Sequence, residues 1–199
     1  ISSAYCELLD EGSGIEVQTE NITEITPFMY TNALTTAGIK DARVIVAAPY
    51  KVSGTAALTG ITKAFESASR ERLNEDAKRT AHREIAETNQ LGEEIGKNNA
   101  EKIIFEVKRR VIAKNTSRPD EIRNIIVDVA GDLNINLTDN QIKGIVNLMQ
   151  KINKLGININ NIDQQLKNLE RSVKEIKSSG KETTEFIKRL AKWFNEIMA

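Results

Sequence analysis

Cysteine is almost missing from this sequence: Cys6 stands alone among 199 residues. One thiol forms neither an internal disulfide nor a multi-thiolate metal site. Histidine is as scarce, with His82 the single copy. A helical metal site of the His-Glu-x-x-His kind needs two, and a Ser-His-Asp or Cys-His nucleophile would have to use this one residue. Its setting, "KRTAHREIAE", is charged and helical in period, so His82 reads as a solvated surface residue. An excess of one charge is missing too: Lys+Arg and Asp+Glu each total 28. Without a global basic field, nucleic acid is not an expected partner. No apolar run approaches the roughly 20 residues that cross a bilayer. These gaps point to no metal, no cofactor and no transmembrane span.

What is present suits a packed core, with 40% hydrophobic and 28% charged residues. The sequence opens at Ile1 without methionine, which leads to the expectation of either a processed or a trimmed chain, with room for a signal peptide upstream. Two textures follow. The first, residues 1–66, carries β-type runs and two of the three prolines; the second, 67–199, is charged and helical in period. The two can pack as one domain.

In the first region, Ile15, Val17 and Thr19 alternate as on a half-buried strand. Thr26 then stands as an N-cap before Pro27, and Gly38 as a C-terminal stop, around a helix carrying Phe28, Leu34 and Ala37. "DARVIVAA" reads as a buried strand, whereas 1–9 shows no single period. In the second region, Leu73, Ala77, Ala81, Ile85 and Ile95 mark one long amphipathic helix, and Ile103, Ile104, Val107 and Val111 a second beyond "GKNN". Ser117 is the expected cap of a third helix with Pro119 in its first turn. Thr138 and Gln141 stand in capping-box register for a fourth. Ile162, Leu166, Leu169, Val173 and Ile176 repeat like a short heptad seam, and a last helix follows Gly180. The fold expected is α+β: a small βαβα sheet unit, then a region of about five helices.

Three places invite chemistry. "VIVAAPYKVSGTAALTGI" runs from strand through Ser53, Gly54 and Thr55 into a helix. A Walker loop needs a Lys-Ser/Thr pair at the helix start, and a nucleophile elbow needs Gly-x-Ser-x-Gly; both patterns fail here. The plain reading is that Pro49 ends the strand and Ser53 caps the helix. The functional reading is an anion or a peptide terminus held by free N–H groups at the helix start. The many carboxylates, as in "ASRERLNEDAKRTAHREIAE", interleave with Lys and Arg as on a solvated face supported by i,i+4 pairs. In the last helix, Phe186, Leu190, Trp193 and Phe194 form an apolar face against Lys188, Arg189 and Lys192. Such a helix suits an anionic membrane surface or a partner's groove, or packs at home.

The stretches "NITEITPFMYTNALTTAGIKDARVIVAAP", "VSGTAALTGI" and "IVDVAGDLNINLTDNQIKGIVNLMQKI" resemble a bacterial family of predicted secreted proteins, domain of unknown function 1002, found in Gram-positive organisms. The resemblance implies export and a place outside the cytoplasm or at the envelope, and brings no catalytic residues. Cys6 departs from it, standing where an apolar β-type residue is expected. The leading expectation is therefore an exported, non-enzymatic protein that binds or assembles at the cell envelope, with an envelope component or a second copy as partner. The second is a membrane- or partner-binding helical module acting through residues 181–199. The third is a ligand-binding or hydrolytic enzyme using the Ser53–Gly54–Thr55 corner.

Overall fold

The computed structural model describes residues 2–165 and 167. Its elements run β1 (Ser3–Leu8), β2 (Ile15–Ile22), α1 (Pro27–Ala37), β3 (Ala42–Val52), α2 (Ala57–Ser69), α3 (Glu75–Ile95), α4 (Lys97–Lys114), α5 (Pro119–Asp132) and α6 (Asp139–Lys154). Further helical turns begin at 159. The class is α+β.

The sheet has order β1-β3-β2. β2 and β3 are parallel, with Val17 opposite Val44, and α1 makes the crossover between them. β1 adds antiparallel to the other side of β3, with Cys6 opposite Val44. This strand extends the expected βαβα unit. Its signal is weak because the inward positions are the small Ala4 and Cys6, while Ser3 and Tyr5 face out. Cys6 packs against the sheet-side core, so the thiol fills an apolar place, and burial pushes its pKa up.

β3 does not end at Pro49 but continues to Val52. Beyond the Glu20–Ala47 pair the register slips, and the next partners are Ile22 and Val52. Pro49 lies in the slipped stretch, where a missing N–H breaks no ladder bond. Asn21, at φ 60°, closes the irregularity by donating from Nδ2 to the Ala48 carbonyl at 2.7 Å.

α1 begins and ends as its sequence predicts. The Thr26 hydroxyl accepts from Met29 N at 3.1 Å, and Gly38 takes φ 96°. Every residue from Phe28 to Ala37 is buried, including Asn32, Thr35 and Thr36. The reason is position: α1 packs on β2 and touches α2, α3 and α4. Two apolar cores meet along it. The sheet-side core joins Tyr30, Leu34, Val44 and Ile61 to Ala81 and Ile85 of α3. The helical core joins Phe28 to Phe105 of α4, edge to face with centroids 5.6 Å apart, and continues through Ile122, Met149 and Ile162. The sheet unit thus draws core residues from beyond 66, and that boundary falls inside α2.

Among the other helix starts, the third departs from expectation. Arg118 holds the N-cap of α5, with no side-chain cap bond. Ser117 instead accepts from α6: its carbonyl from Gln150 Nε2 and its hydroxyl from Asn153 Nδ2, each at 2.9 Å. The α6 capping box is complete, with Gln141 N donating to Thr138 Oγ1 at 3.3 Å and Thr138 N to Gln141 Oε1 at 2.7 Å. Replacing Thr138 by alanine is expected to cost about 1 kcal/mol in urea unfolding; a change within error would mean that packing alone holds the α6 start.

Candidate functional site

The Ser53–Gly54–Thr55 corner is filled from within. Gly54 takes φ 91°, and a Cβ there would lie 2.4 Å from Ile22 Cγ2 and 2.6 Å from the Tyr30 hydroxyl oxygen. Tyr30, fully buried, donates its hydroxyl to the Gly54 carbonyl at 2.5 Å. Desolvation raises the phenol's pKa, keeping it a donor. Ser53 does not cap α2, whose N-cap is Ala56 without a side-chain bond. Instead the Ser53 carbonyl accepts from the N–H groups of Glu24 and Ile25, each at 3.2 Å. The hydroxyls of Ser53 and Thr55 meet at 3.4 Å at the surface. This corner ties β3 to the entry of α1.

His82 is partly buried against α2, its Nε2 3.3 Å from Thr59 Oγ1, and desolvation lowers its pKa. It is therefore less solvated than its charged neighbours suggest. Much of that charged run behaves as expected, with Arg83 and Glu87 paired at 3.2 Å. Glu84 does not.

Glu84 and Lys108 form the feature that sequence reasoning missed. Both are buried, at 1% and 0% exposure. Lys108 Nζ donates to Glu84 Oε1 at 2.8 Å, to the Asn32 carbonyl at 2.9 Å and to Thr36 Oγ1 at 3.1 Å. An ammonium has three N–H bonds, and each finds an acceptor. The carboxylate accepts also from Asn32 Nδ2 at 2.9 Å and from the Thr36 hydroxyl at 2.5 Å. Burial pulls the Lys108 pKa down, opposed by the Glu84 charge. One signal existed: a helix with Asn32, Thr35 and Thr36 among Leu34 and Ala37 has no clean polar face, so some of these groups had to find partners inside.

Among the described residues, the outward-facing side of the sheet carries exposed side chains. Arg43 pairs with Glu7 and Glu16, each at 3.0 Å, in a row across all three strands. Beside it Tyr5 is 56% and Ile45 36% exposed. Among the described residues β1 is an outer strand, paired with β3 alone.

Among the described residues, no group of three or more His, Cys, Asp or Glu stands close enough to hold a metal ion. Among them too, no helix is long and apolar enough to cross a membrane. Phe186, Lys188, Arg189, Leu190, Lys192, Trp193 and Phe194 lie outside the described residues, as do the seam positions Leu166, Leu169, Val173 and Ile176.

With this architecture in view, the comparisons decide the family. The model for "Protein of unknown function (DUF1002)" matches residues 1–169. The chain belongs to the DUF1002 family. A DUF1002 relative, described as the uncharacterized protein YpuA of Bacillus subtilis (strain 168), is 46% identical over 161 residues, covering 79% of this chain. The match spans 55% of that relative, so this DUF1002 chain corresponds to about half its length. No solved structure matches the chain.

Proposed function

We propose that this DUF1002 protein is exported and works by binding rather than catalysis, assembling at the cell envelope through the open side of its sheet. The observation that carries this reading is the β1 edge: among the described residues, a strand paired on one side only, bearing exposed Tyr5 and Leu8. An unpaired strand edge invites addition of another strand, and proteins that keep monomers usually blunt it. A second copy fits it, because β1 against its symmetry mate would extend the sheet and cover Tyr5 on both sides. The non-catalytic reading is supported by the sealing of the Lys108–Glu84 pair, whose charges lie beyond a substrate's reach. Export is supported by the resemblance to predicted secreted proteins.

Light scattering with size-exclusion chromatography tests the assembly. The expected result is a two-chain mass that rises with concentration and returns to one chain in Tyr5→Lys, whose circular dichroism stays unchanged. A one-chain mass for the parent protein at high concentration overturns self-assembly. Fractionation of the native host tests the setting: the protein is expected in envelope and medium, and confinement to the cytosol overturns export.

A further inference from the structure

With a single cysteine the chain can form no internal disulfide, yet the buried cluster on α1, α3 and α4 holds the parts of another covalent link. Asn32 is 3% exposed and stands beside Glu84 and Lys108. One carboxylate oxygen, Glu84 Oε1, meets two nitrogens: it accepts from Lys108 Nζ at 2.8 Å and from Asn32 Nδ2 at 2.9 Å. Nζ also donates to the main-chain carbonyl of Asn32 at 2.9 Å. The amine and the carboxamide therefore lie within the span of one carboxylate, and a turn of the Asn32 side chain carries its Cγ toward Nζ. Little opposes that turn at the far end, because Asn32 Oδ1 is buried without a hydrogen-bond partner.

A plain ion pair needs no carboxamide bound to the same oxygen; a reaction between the two nitrogens' carriers does. Lysine becomes a nucleophile when burial favours its neutral amine, and burial pulls the Lys108 pKa down against the opposing Glu84 charge. A general base must touch the proton it takes, and a general acid the group that leaves. Glu84 Oε1 meets both conditions. Thr36 holds it in place, its hydroxyl donating to Glu84 Oε2 at 2.5 Å and accepting from Nζ at 3.1 Å. Burial of all three reacting side chains keeps bulk water from the carboxamide, so attack by the amine is favoured over hydrolysis. Ammonia, the small product, leaves through local opening of the helices.

We infer that Lys108 and Asn32 join through an Nζ–Cγ amide, with Glu84 carrying the protons. Glu84 takes one proton from Nζ and frees its lone pair, which attacks Cγ. Glu84 then gives that proton to Nδ2 and takes a second from Nζ. The Cγ–Nδ2 bond breaks and ammonia departs; one hydrogen stays on the new amide, one on Glu84, and the opposite charges of the pair cancel. A chain that has not closed keeps the ion pair. The link fastens α1 to α4 across 76 positions of sequence, and a cross-link over so long a stretch restricts the unfolded chain strongly.

Intact mass spectrometry of the folded full chain, incubated at neutral pH and then denatured, tests this. The expected mass is one ammonia below that of the sequence, with a branched peptide carrying both Asn32 and Lys108 after proteolysis. Glu84→Gln and Lys108→Arg are expected at full mass. Asn32→Asp, which offers a carboxyl group instead, is expected to lose water rather than ammonia, and stands in if Glu84→Gln does not fold. Full sequence mass in the folded parent chain overturns the link. So does an ammonia loss that persists in Lys108→Arg, the mark of an asparagine cyclising on its own backbone. The link lies within one chain, so its outcome is independent of the two-chain mass above.

Discussion

Replacing Lys108 by methionine is expected to destabilise the protein by about 3–5 kcal/mol. Methionine fills much of the lysine's volume, so the loss comes from charge and not from a cavity. Glu84 would stay in the core, 1% exposed, with a carboxylate that has lost its cation and keeps only Asn32 Nδ2 and the Thr36 hydroxyl. Glu84→Gln has a similar expected effect, because the ammonium then lacks its counter-charge. The double variant, Lys108→Met with Glu84→Gln, removes both charges. A neutral carboxamide there can still accept from Asn32 Nδ2 and turn its NH₂ toward Thr36 Oγ1. Its cost is expected to fall below that of either single variant, since residues in one network do not add. Urea unfolding with unchanged m-values measures all three. Additive losses would show that the two residues act separately. That outcome would mean that the pair contributes little net stability against a neutral alternative. What it selects is one relative placement of α1, α3 and α4, because any slip leaves a charge buried alone.

Gly54→Ala is the second large effect, expected at about 2–5 kcal/mol. Two costs combine: roughly 1–2 kcal/mol for a left-handed backbone in a residue with a Cβ, and about 1–3 kcal/mol for overpacking. The overpacking is specific, since the new methyl falls against Ile22 Cγ2 and the Tyr30 hydroxyl. Tyr30→Phe alone is expected to cost about 1 kcal/mol, because the Gly54 carbonyl still accepts from Ala57 N at 3.0 Å. Combined with Gly54→Ala it relieves one of the two clashes and leaves Ile22, so the double variant should lie below the sum. Thermal unfolding of the four proteins distinguishes this from a purely backbone effect, which would add without relief.

The two cases divide along what local sequence encodes. Gly54 was legible as a turn residue, but a glycine in a small-residue corner looks the same whether it approaches a phosphate or a tyrosine. Only the return of α1 beside β3 brings Tyr30 within 2.5 Å of it. Ser53 and Ser117 were plausible caps by type, yet their carbonyls were taken by Glu24, Ile25 and Gln150, partners distant in sequence.

Sequence alone determined the class, the bounds of α1, the period of α3 and the capping box of α6. Each rests on residues within a few positions of one another, where hydrogen bonds and apolar stripes are set by the local backbone. Tertiary structure alone decided that β1 completes the sheet, that Pro49 sits inside β3, and that Glu84 leaves its charged run for the core. Those outcomes depend on which elements meet. Glu84 and Arg83 are neighbours on one charged helix, and only the arrival of Lys108 and Asn32 on the Glu84 side makes burying its charge tolerable.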